Sequence, residues 1–421
     1  MASHTPRDRT GSARADGPGP ARRSLAPDLA RGFMLLFIAL VNAGFFLTGP
    51  ETVRTLADQV VTFVQLTLVS GRAIPLFALL FGYGAVMIAR RVRASGGGWV
   101  QARILLRRRG WVLLALGAAH GVLLLPVDIL GAYGLALLLF VGLVRARDVT
   151  LWWTAGVLAA ASAAVHTAWA LSLPVDGGDG GDSSVAVPSL VEPSFVAASV
   201  ERFNEWTLYT PITMLLVAMP TIVLGFWAGH RRLLEEPGAH RPLLRSAAAW
   251  GLGAGVLTGL PSALVAAGWV PAGPRLDGAL AVLHELGGWA GGIGWAALIA
   301  LLAARWESRP ARTSPPDATR APVPAPGPAV AAVAAVGERS LSCYLLQSLV
   351  FTAVFAPYGL GLGASLGAAG AAAVGVATWL ASVAAAEALR RAGRRGPAEV
   401  LVRRLTRRRE PLVAPPLPRA E

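Results

Sequence analysis

Apolar runs of roughly span length recur from residue 24 to residue 389, and nearly all the arginines fall between them or at the two ends. A bilayer hydrocarbon core takes about 20 apolar residues of helix. Hydrophobic residues make up 54% of the 421 and charged residues 15%, more apolar surface than a soluble fold of this length would bury. The expected architecture is therefore all-α: a polytopic transmembrane helix bundle of about ten spans, with the lipid bilayer of the cell membrane as first partner. The net charge is +14 and all 38 basic residues are arginine. Arginine between apolar runs is explained by retention at the cytoplasmic face, so no nucleic acid partner is inferred. Both termini are expected to be cytoplasmic.

In chain order, residues 1–23 read as a disordered basic leader and residues 24–303 as the first part of the bundle. The first run, Ser24–Leu47, follows a polar leader and lacks a small-x-small cleavage site, so it reads as retained rather than as a signal peptide. Asp58–Ser70 is short and flecked with Gln59, Thr62, Gln65 and Thr67, which suits an interfacial or re-entrant piece. Arg90–Arg109 carries seven arginines in twenty residues. Gly110–Leu125 and Ile129–Val144 read as a hairpin turned at Pro126-Val127-Asp128. Residues 174–206 read as the longest external loop, 304–328 as a flexible Pro/Ala linker, 329–390 as the last two spans and 391–421 as a basic cytoplasmic tail. Glycines spaced four apart, Gly251/Gly255/Gly259 and Gly287/Gly291, predict close helix packing in lipid. The single Cys343 excludes a disulfide framework and a cysteine metal cluster; no metal site is expected.

Polar groups inside apolar runs carry the functional information, because burying one without a partner costs several kcal/mol. Asp28, Arg31 and Asn42 share one face of the first helix at about 100° per residue. His120 precedes Asp128 by eight residues, too far to touch in one straight helix, but the hairpin would bring Asp128 and Tyr133 back towards it. A neutral imidazole there is a candidate proton acceptor; a hydrogen-bonded structural histidine is the alternative. Glu338 and Arg339 open the ninth run, and Tyr344, Gln347 and Ser348 form a polar stripe at i, i+3, i+4. Cross-pairing of Glu338 with Arg31, or of Asp28 with Arg339, would satisfy these charges together. His284-Glu285, two adjacent residues on different helix faces, makes no metal site by itself.

At these positions the chain resembles the YeiB family, bacterial membrane proteins carrying a domain of unknown function. The matching pieces are Asp28-x-x-Arg31-Gly32 with Val41-Asn42, Leu80-Phe-Gly-Tyr-Gly84, Leu116-Gly-x-x-His120-Gly with Asp128-Ile-Leu-x-x-Tyr133, Tyr344-Leu-Leu-Gln347-Ser348, and Gly396-Pro-x-Glu399-x-Leu401-x-x-Arg404. The sequence departs from the family at Ser342-Cys343, where Thr-Asn is common. The first helix also looks like that of membrane acetyltransferases acting on sugars. That likeness implies, by analogy, transfer of an acyl group to a polar acceptor, a sugar or lipid headgroup. His120 would be the base, Asp128 its orienter and acyl-CoA the candidate donor, with no resident cofactor. A small-molecule transporter and a non-catalytic membrane protein stand as alternatives; no internal repeat of the kind common in transporters is evident.

Overall fold

The computed structural model describes residues 24–49, 52–172, 187–307 and 326–406. The leader 1–23, most of the acidic stretch after residue 173, most of the Pro/Ala linker and the end of the tail lie outside the described residues. Among the described residues the fold is helical throughout, without strands.

Helix α1, Leu25–Phe45, is the hub: it packs against α3 (Ala73–Ala94), α10 (Pro274–Glu307), α11 (Pro328–Glu338), α12 (Ser340–Phe355) and α13 (Ala368–Arg391). Close approach comes from glycine. A Cβ on Gly32 would run into the carbonyl of Val333 on α11, and Trp379 of α13 donates to the Gly32 carbonyl at 3.1 Å. The glycine of the Asp28-x-x-Arg31-Gly32 motif is thus a packing residue for α11.

Helix α2, Leu56–Leu68, begins at a capping box in which Thr55 and Asp58 exchange hydrogen bonds. It runs on, after the irregular residues 69–72, into α3. Together they form one apolar length of 39 residues, Leu56–Ala94, where an interfacial or re-entrant piece was expected. Arg72, 1% exposed, holds this break: its guanidinium donates to the carbonyls of Leu66, at 2.8 Å, Ser70 and Gly255, and lies 2.6 Å from His284 Nε2. The carbonyls at the end of a helix have no intrahelical partner, and for Leu66, at the end of α2, Arg72 and His284 supply it.

Helices α4, Trp99–Leu123, and α5, Ile129–Phe140, form the expected hairpin, continued by a 3₁₀ turn, Val141–Arg145. The fourth helix starts eleven residues before the expected Gly110. Arginine is a good helix former, so the Arg103–Arg109 stretch extends the helix instead of ending it. Helix α6, Asp148–Ser172, follows. Helix α7, Phe195–Ile212, covers residues expected in the external loop 174–206. It passes through a π-helical turn, Thr213–Ala218, into α8, Met219–His230, as one 36-residue length. Helix α9, Arg241–Ala266, meets α10 along the predicted glycine faces, Gly255 against Gly291 and Gly251 against Gly294. Helix α10 runs on through Glu307, into the segment expected as linker.

Among the described residues, seven helical lengths are long and apolar enough to cross a membrane, and α11 with α12, bent by 84° at Arg339, makes an eighth if taken as one broken span. Large apolar side chains stay exposed on the outward faces, among them Trp111, Trp152, Trp153, Val157, Trp250, Leu257 and Leu380. An apolar girdle of that kind belongs in lipid, and the protein is a multi-pass membrane protein. The last described helix, α14 (Pro397–Thr406), falls within the expected tail but packs against α4 and α12. Its Glu399 accepts from the backbone N–H groups of Leu341, at 2.8 Å, and Ser342, at 3.2 Å, and from the Ser342 hydroxyl. A carboxylate at a helix N-terminus meets two orphan donors and the positive end of the dipole. Ser342 thus already has a partner where the YeiB family often carries threonine.

Candidate functional site

The loops and helix ends that carry arginine enclose a cavity of about 1230 Å³ among α1, α3, α4, α5, α11, α12 and α14. Its outer part is charged: Asp28, Arg31, Arg91, Arg109, Arg232, Glu235, Glu338, Arg339 and Glu399 line it. Its inner part is apolar, walled by Phe77, Phe81, Leu113, Leu130 and Leu137, and carries the tyrosines Tyr133 and Tyr344. Of the residues singled out from sequence, Asp28, Arg31, Tyr133, Glu338, Arg339 and Tyr344 border this one space.

At the mouth the charges pair locally. Arg31 holds Asp28 at 3.2 Å, one helical turn away, and Arg339 holds Glu338 at 3.2 Å, so the expected exchange between α1 and the α11–α12 break is not what forms. Arg339 is turned aside: its guanidinium donates to the Ala335 carbonyl and, at 2.7 Å, to the Arg394 carbonyl, tying the break to the approach of α14. Arg90 pairs with Glu235 at 2.6 Å, and the Tyr83 hydroxyl reaches the same carboxylate at 3.2 Å. Outside the spans, in the turn after α8, the exposed Arg232 and Glu236 pair at 2.8 Å, and the hydrogen bond from Arg232 holds the Glu236 carboxyl below its ordinary range. Arg109 differs. It faces the cavity with Arg31 and Glu399 as its nearest charges, and makes no ion pair or hydrogen bond to any described residue. A guanidinium with five donors unspent beside a second arginine is a site for an anion with several acceptor oxygens. The sequence showed Arg109 only as the last of an arginine run; its inward direction depends on the tertiary packing of α4.

Asn42 is not part of the cluster. It shares the face of Arg31 but stands eleven residues further along α1, about 16 Å at 1.5 Å per residue. It is half-buried and does not border the cavity. Angular phase alone had joined them.

Behind the inner wall lies a second, fully enclosed group. His120 Nδ1 is 3.0 Å from Asp128 Oδ1, ion-pair distance but off the direction a hydrogen bond prefers, and both side chains are 0% exposed. His120 Nε2 is 2.8 Å from the hydroxyl of Ser348. Asp128 also caps α5, accepting from the backbone N–H groups of Leu130 and Gly131, which fixes the carboxylate. Glycine makes the contact feasible: a Cβ on Gly117 of α4 would collide with Gly131 and with the Asp128 carboxylate. On the far side the indole of Trp206 lies against Gly121 and Gly131 and shuts the group off. On the cavity side the Tyr344 ring lies 4.9 Å from the imidazole. His120 and Asp128 therefore sit one aromatic ring behind the cavity and do not line it.

This inner region holds polar atoms without partners. The Tyr133 hydroxyl and both amide atoms of Gln347 are buried and make no hydrogen bond, and the Tyr344 hydroxyl approaches the Ile129 backbone without reaching hydrogen-bond geometry. Buried polar atoms are nearly always satisfied, so several orphans in one place mark a spot that a polar group or water fills.

The remaining sequence candidate, His284-Glu285, belongs elsewhere. His284 is buried against Arg72 at the α2–α3 break, with Glu285 3.7 Å away. Among the described residues no group of three or more metal-ligating side chains assembles. The arginine was missed from sequence: Gly71-Arg72 between two apolar runs was the available signal, and its partners are backbone carbonyls that no motif records.

Residues 228–409 match the family described as "Protein of unknown function (DUF418)". The matched stretch includes Glu338, Arg339, Tyr344, Gln347, Ser348 and Glu399; the first-helix motif and the His120–Asp128 hairpin precede it. No curated protein matches the chain.

Proposed function

We propose that this multi-pass membrane protein, whose residues 228–409 match the DUF418 family, transfers an acyl group from a thioester donor such as acyl-CoA to a polar acceptor, a sugar or lipid headgroup, at the cell membrane. The observation that carries this reading is the two-ended cavity with a histidine–carboxylate pair behind its closed end. The outer arginines, Arg109 above all, suit the phosphates of the donor, each charge-assisted hydrogen bond contributing about 1.5–3 kcal/mol. The apolar inner walls suit an acyl chain, and the orphan hydroxyls of Tyr133 and Tyr344 suit a carbonyl oxygen. His120 would act as the base, and Asp128 would hold its tautomer with the proton on Nδ1, stabilising the cation that forms.

The test supplies radiolabelled acetyl-CoA to membranes containing the protein and follows label into lipid and saccharide. Wild type should incorporate label above membranes lacking the protein. His120→Ala should lose about 10²–10⁴-fold, the usual contribution of a general base, while remaining folded and inserted. Incorporation unchanged in His120→Ala removes that residue from the mechanism.

One observation favours a second reading, transport. The cavity mouth is built on a broken helix, the 84° bend at Arg339, and discontinuous helices commonly flank transporter binding sites. Reconstituted vesicles separate the two: label that crosses the bilayer chemically unchanged supports transport, whereas label found in a new ester or amide supports transfer.

A further inference from the structure

We propose that Ser348 is the nucleophile of this site and carries the acyl group as an ester between donor and acceptor; the proposal rests on the transferase reading. The proton-accepting nitrogen of His120 does not face the cavity. With Nδ1 turned to Asp128 at 3.0 Å, Nε2 faces the Ser348 hydroxyl at 2.8 Å. The hydroxyl beside that nitrogen, which also reaches the Tyr344 carbonyl at 3.3 Å, is therefore the protein's own. While Ser348 is free, its hydroxyl occupies that nitrogen and an acceptor alcohol has no access to it; acylation of Ser348 removes that hydroxyl proton and frees the nitrogen for the acceptor.

The three side chains come from α12, α4 and α5, and 228 residues separate Ser348 from His120. Their order, hydroxyl to imidazole to carboxylate, is that of an activated nucleophile, recognised by geometry and roles rather than by sequence position. Ser348 lies one turn beyond Tyr344 on α12, and Tyr344 forms the wall between the cavity and the imidazole. For the donor to reach the buried serine, that side chain, whose hydroxyl has no hydrogen bond to break, must rotate and open the cavity to it. Independent of the triad, the neighbouring amide of Gln347 and the hydroxyl of Tyr133 are donors with nothing to donate to. A developing oxyanion needs such donors.

The chemistry closes in two halves. In the first, the Ser348 Oγ bonds to the thioester carbonyl carbon as its proton passes to His120 Nε2. The carbon–sulfur bond then breaks and His120 returns the proton to the departing sulfur, leaving a free thiol and an acyl ester on Ser348. In the second, the acceptor hydroxyl gives its proton to His120 and bonds to the acyl carbon. The ester bond to Ser348 breaks, and the serine oxygen takes the proton back. Asp128 is a positioning residue throughout.

The experiment incubates purified full-length protein with radiolabelled acetyl-CoA without acceptor, then maps label by peptide mass spectrometry. Transfer to lipid and saccharide acceptors present in membranes is measured in parallel. Wild type should carry an alkali-labile acetyl ester on Ser348. Ser348→Ala should lose both label and about 10²–10⁴-fold of transfer. Ser348→Cys, which keeps a nucleophile in place, should take label as a thioester cleaved by neutral hydroxylamine. It decides the matter should the alanine variant fail to fold. Transfer by wild type with no acyl-Ser348, or equal transfer by wild type and Ser348→Ala, overturns the nucleophile and leaves the transferase reading standing. No label and no transfer by folded wild type overturns both.

Discussion

Gly337 and Asp28 meet backbone to backbone: a Cβ on Gly337 would fall on the Asp28 carbonyl oxygen. This contact joins α1 to the end of α11 at the rim of the cavity. The two charged motifs of the mouth therefore face each other as a matter of main-chain packing. Their side chains then pair locally, Asp28 with Arg31 and Glu338 with Arg339.

Gly337→Ala should force the two helices apart, and overpacking of this kind costs about 1–3 kcal/mol or more. Thermal unfolding in detergent should show a clear loss. Gly253→Ala, with open space around it, is the control and should be silent or slightly stabilising, since alanine favours helix by about 1 kcal/mol. Equal behaviour of the two variants contradicts the contact.

Arg109→Ala should uncouple stability from binding. Removing a cation that has Arg31 as a neighbour and no ion pair among the described residues leaves stability unchanged or raised, as at other sites kept for function. Binding of coenzyme A, followed by fluorescence or calorimetry, should weaken at least about tenfold, the equivalent of one lost charge-assisted hydrogen bond. Arg109→Lys should recover only part, lacking the planar fork. Undiminished binding by Arg109→Ala would falsify its role at the mouth.

Arg72→Met should behave in the opposite way. The carbonyls of Leu66, Ser70 and Gly255 lose the guanidinium, Leu66 keeping His284 at 3.1 Å and Gly255 keeping Thr258 at 3.3 Å, and a buried acceptor left unsatisfied costs about 1–3 kcal/mol. The measurement is thermal unfolding in detergent together with membrane yield. A variant as stable as wild type means that water or a backbone rearrangement serves those carbonyls instead.

The arginine-rich turns make a topological prediction. Reporters inserted at Gly96, between α3 and α4, and at Gly238, between α8 and α9, should both read as cytoplasmic. Helix α4 includes Arg109, so an insertion there would break the helix rather than report its side. Opposite readings at Gly96 and Gly238 would mean that the arginine asymmetry does not set orientation.

What the sequence revealed and what it hid divide along a physical line. Helical runs, the α9–α10 glycine faces and the hairpin reversing at Pro126-Val127-Asp128 follow from local periodicity and turn chemistry. That reversal is why His120 and Asp128 meet despite a spacing too long for one straight helix. Asn42 was placed with Arg31 because periodicity gives an angle about the helix and says nothing of the 16 Å or so along it. The partner of Ser348 is hidden for the reason that the partners of Arg72 are. Each contact is made between helices distant in the chain, and for Arg72 the partners are mostly carbonyls that every residue carries. Helix α11 was overlooked because its Ala/Val run is too short to read as a span.

Helix α14 has a practical consequence for anyone cutting the gene. Through Glu399 it closes the open end of α12, the helix that carries Tyr344, Gln347 and Ser348, and its Val402 and Thr406 line the cavity mouth. A stop codon placed after Arg395, where the apolar sequence ends and a designer would trim a basic appendage, would leave the bundle its full set of apolar helices. It would nevertheless take away a wall of the entrance and the anchor of the helix that carries the proposed nucleophile. Such a protein would insert into membranes and report as well expressed, yet have lost its site.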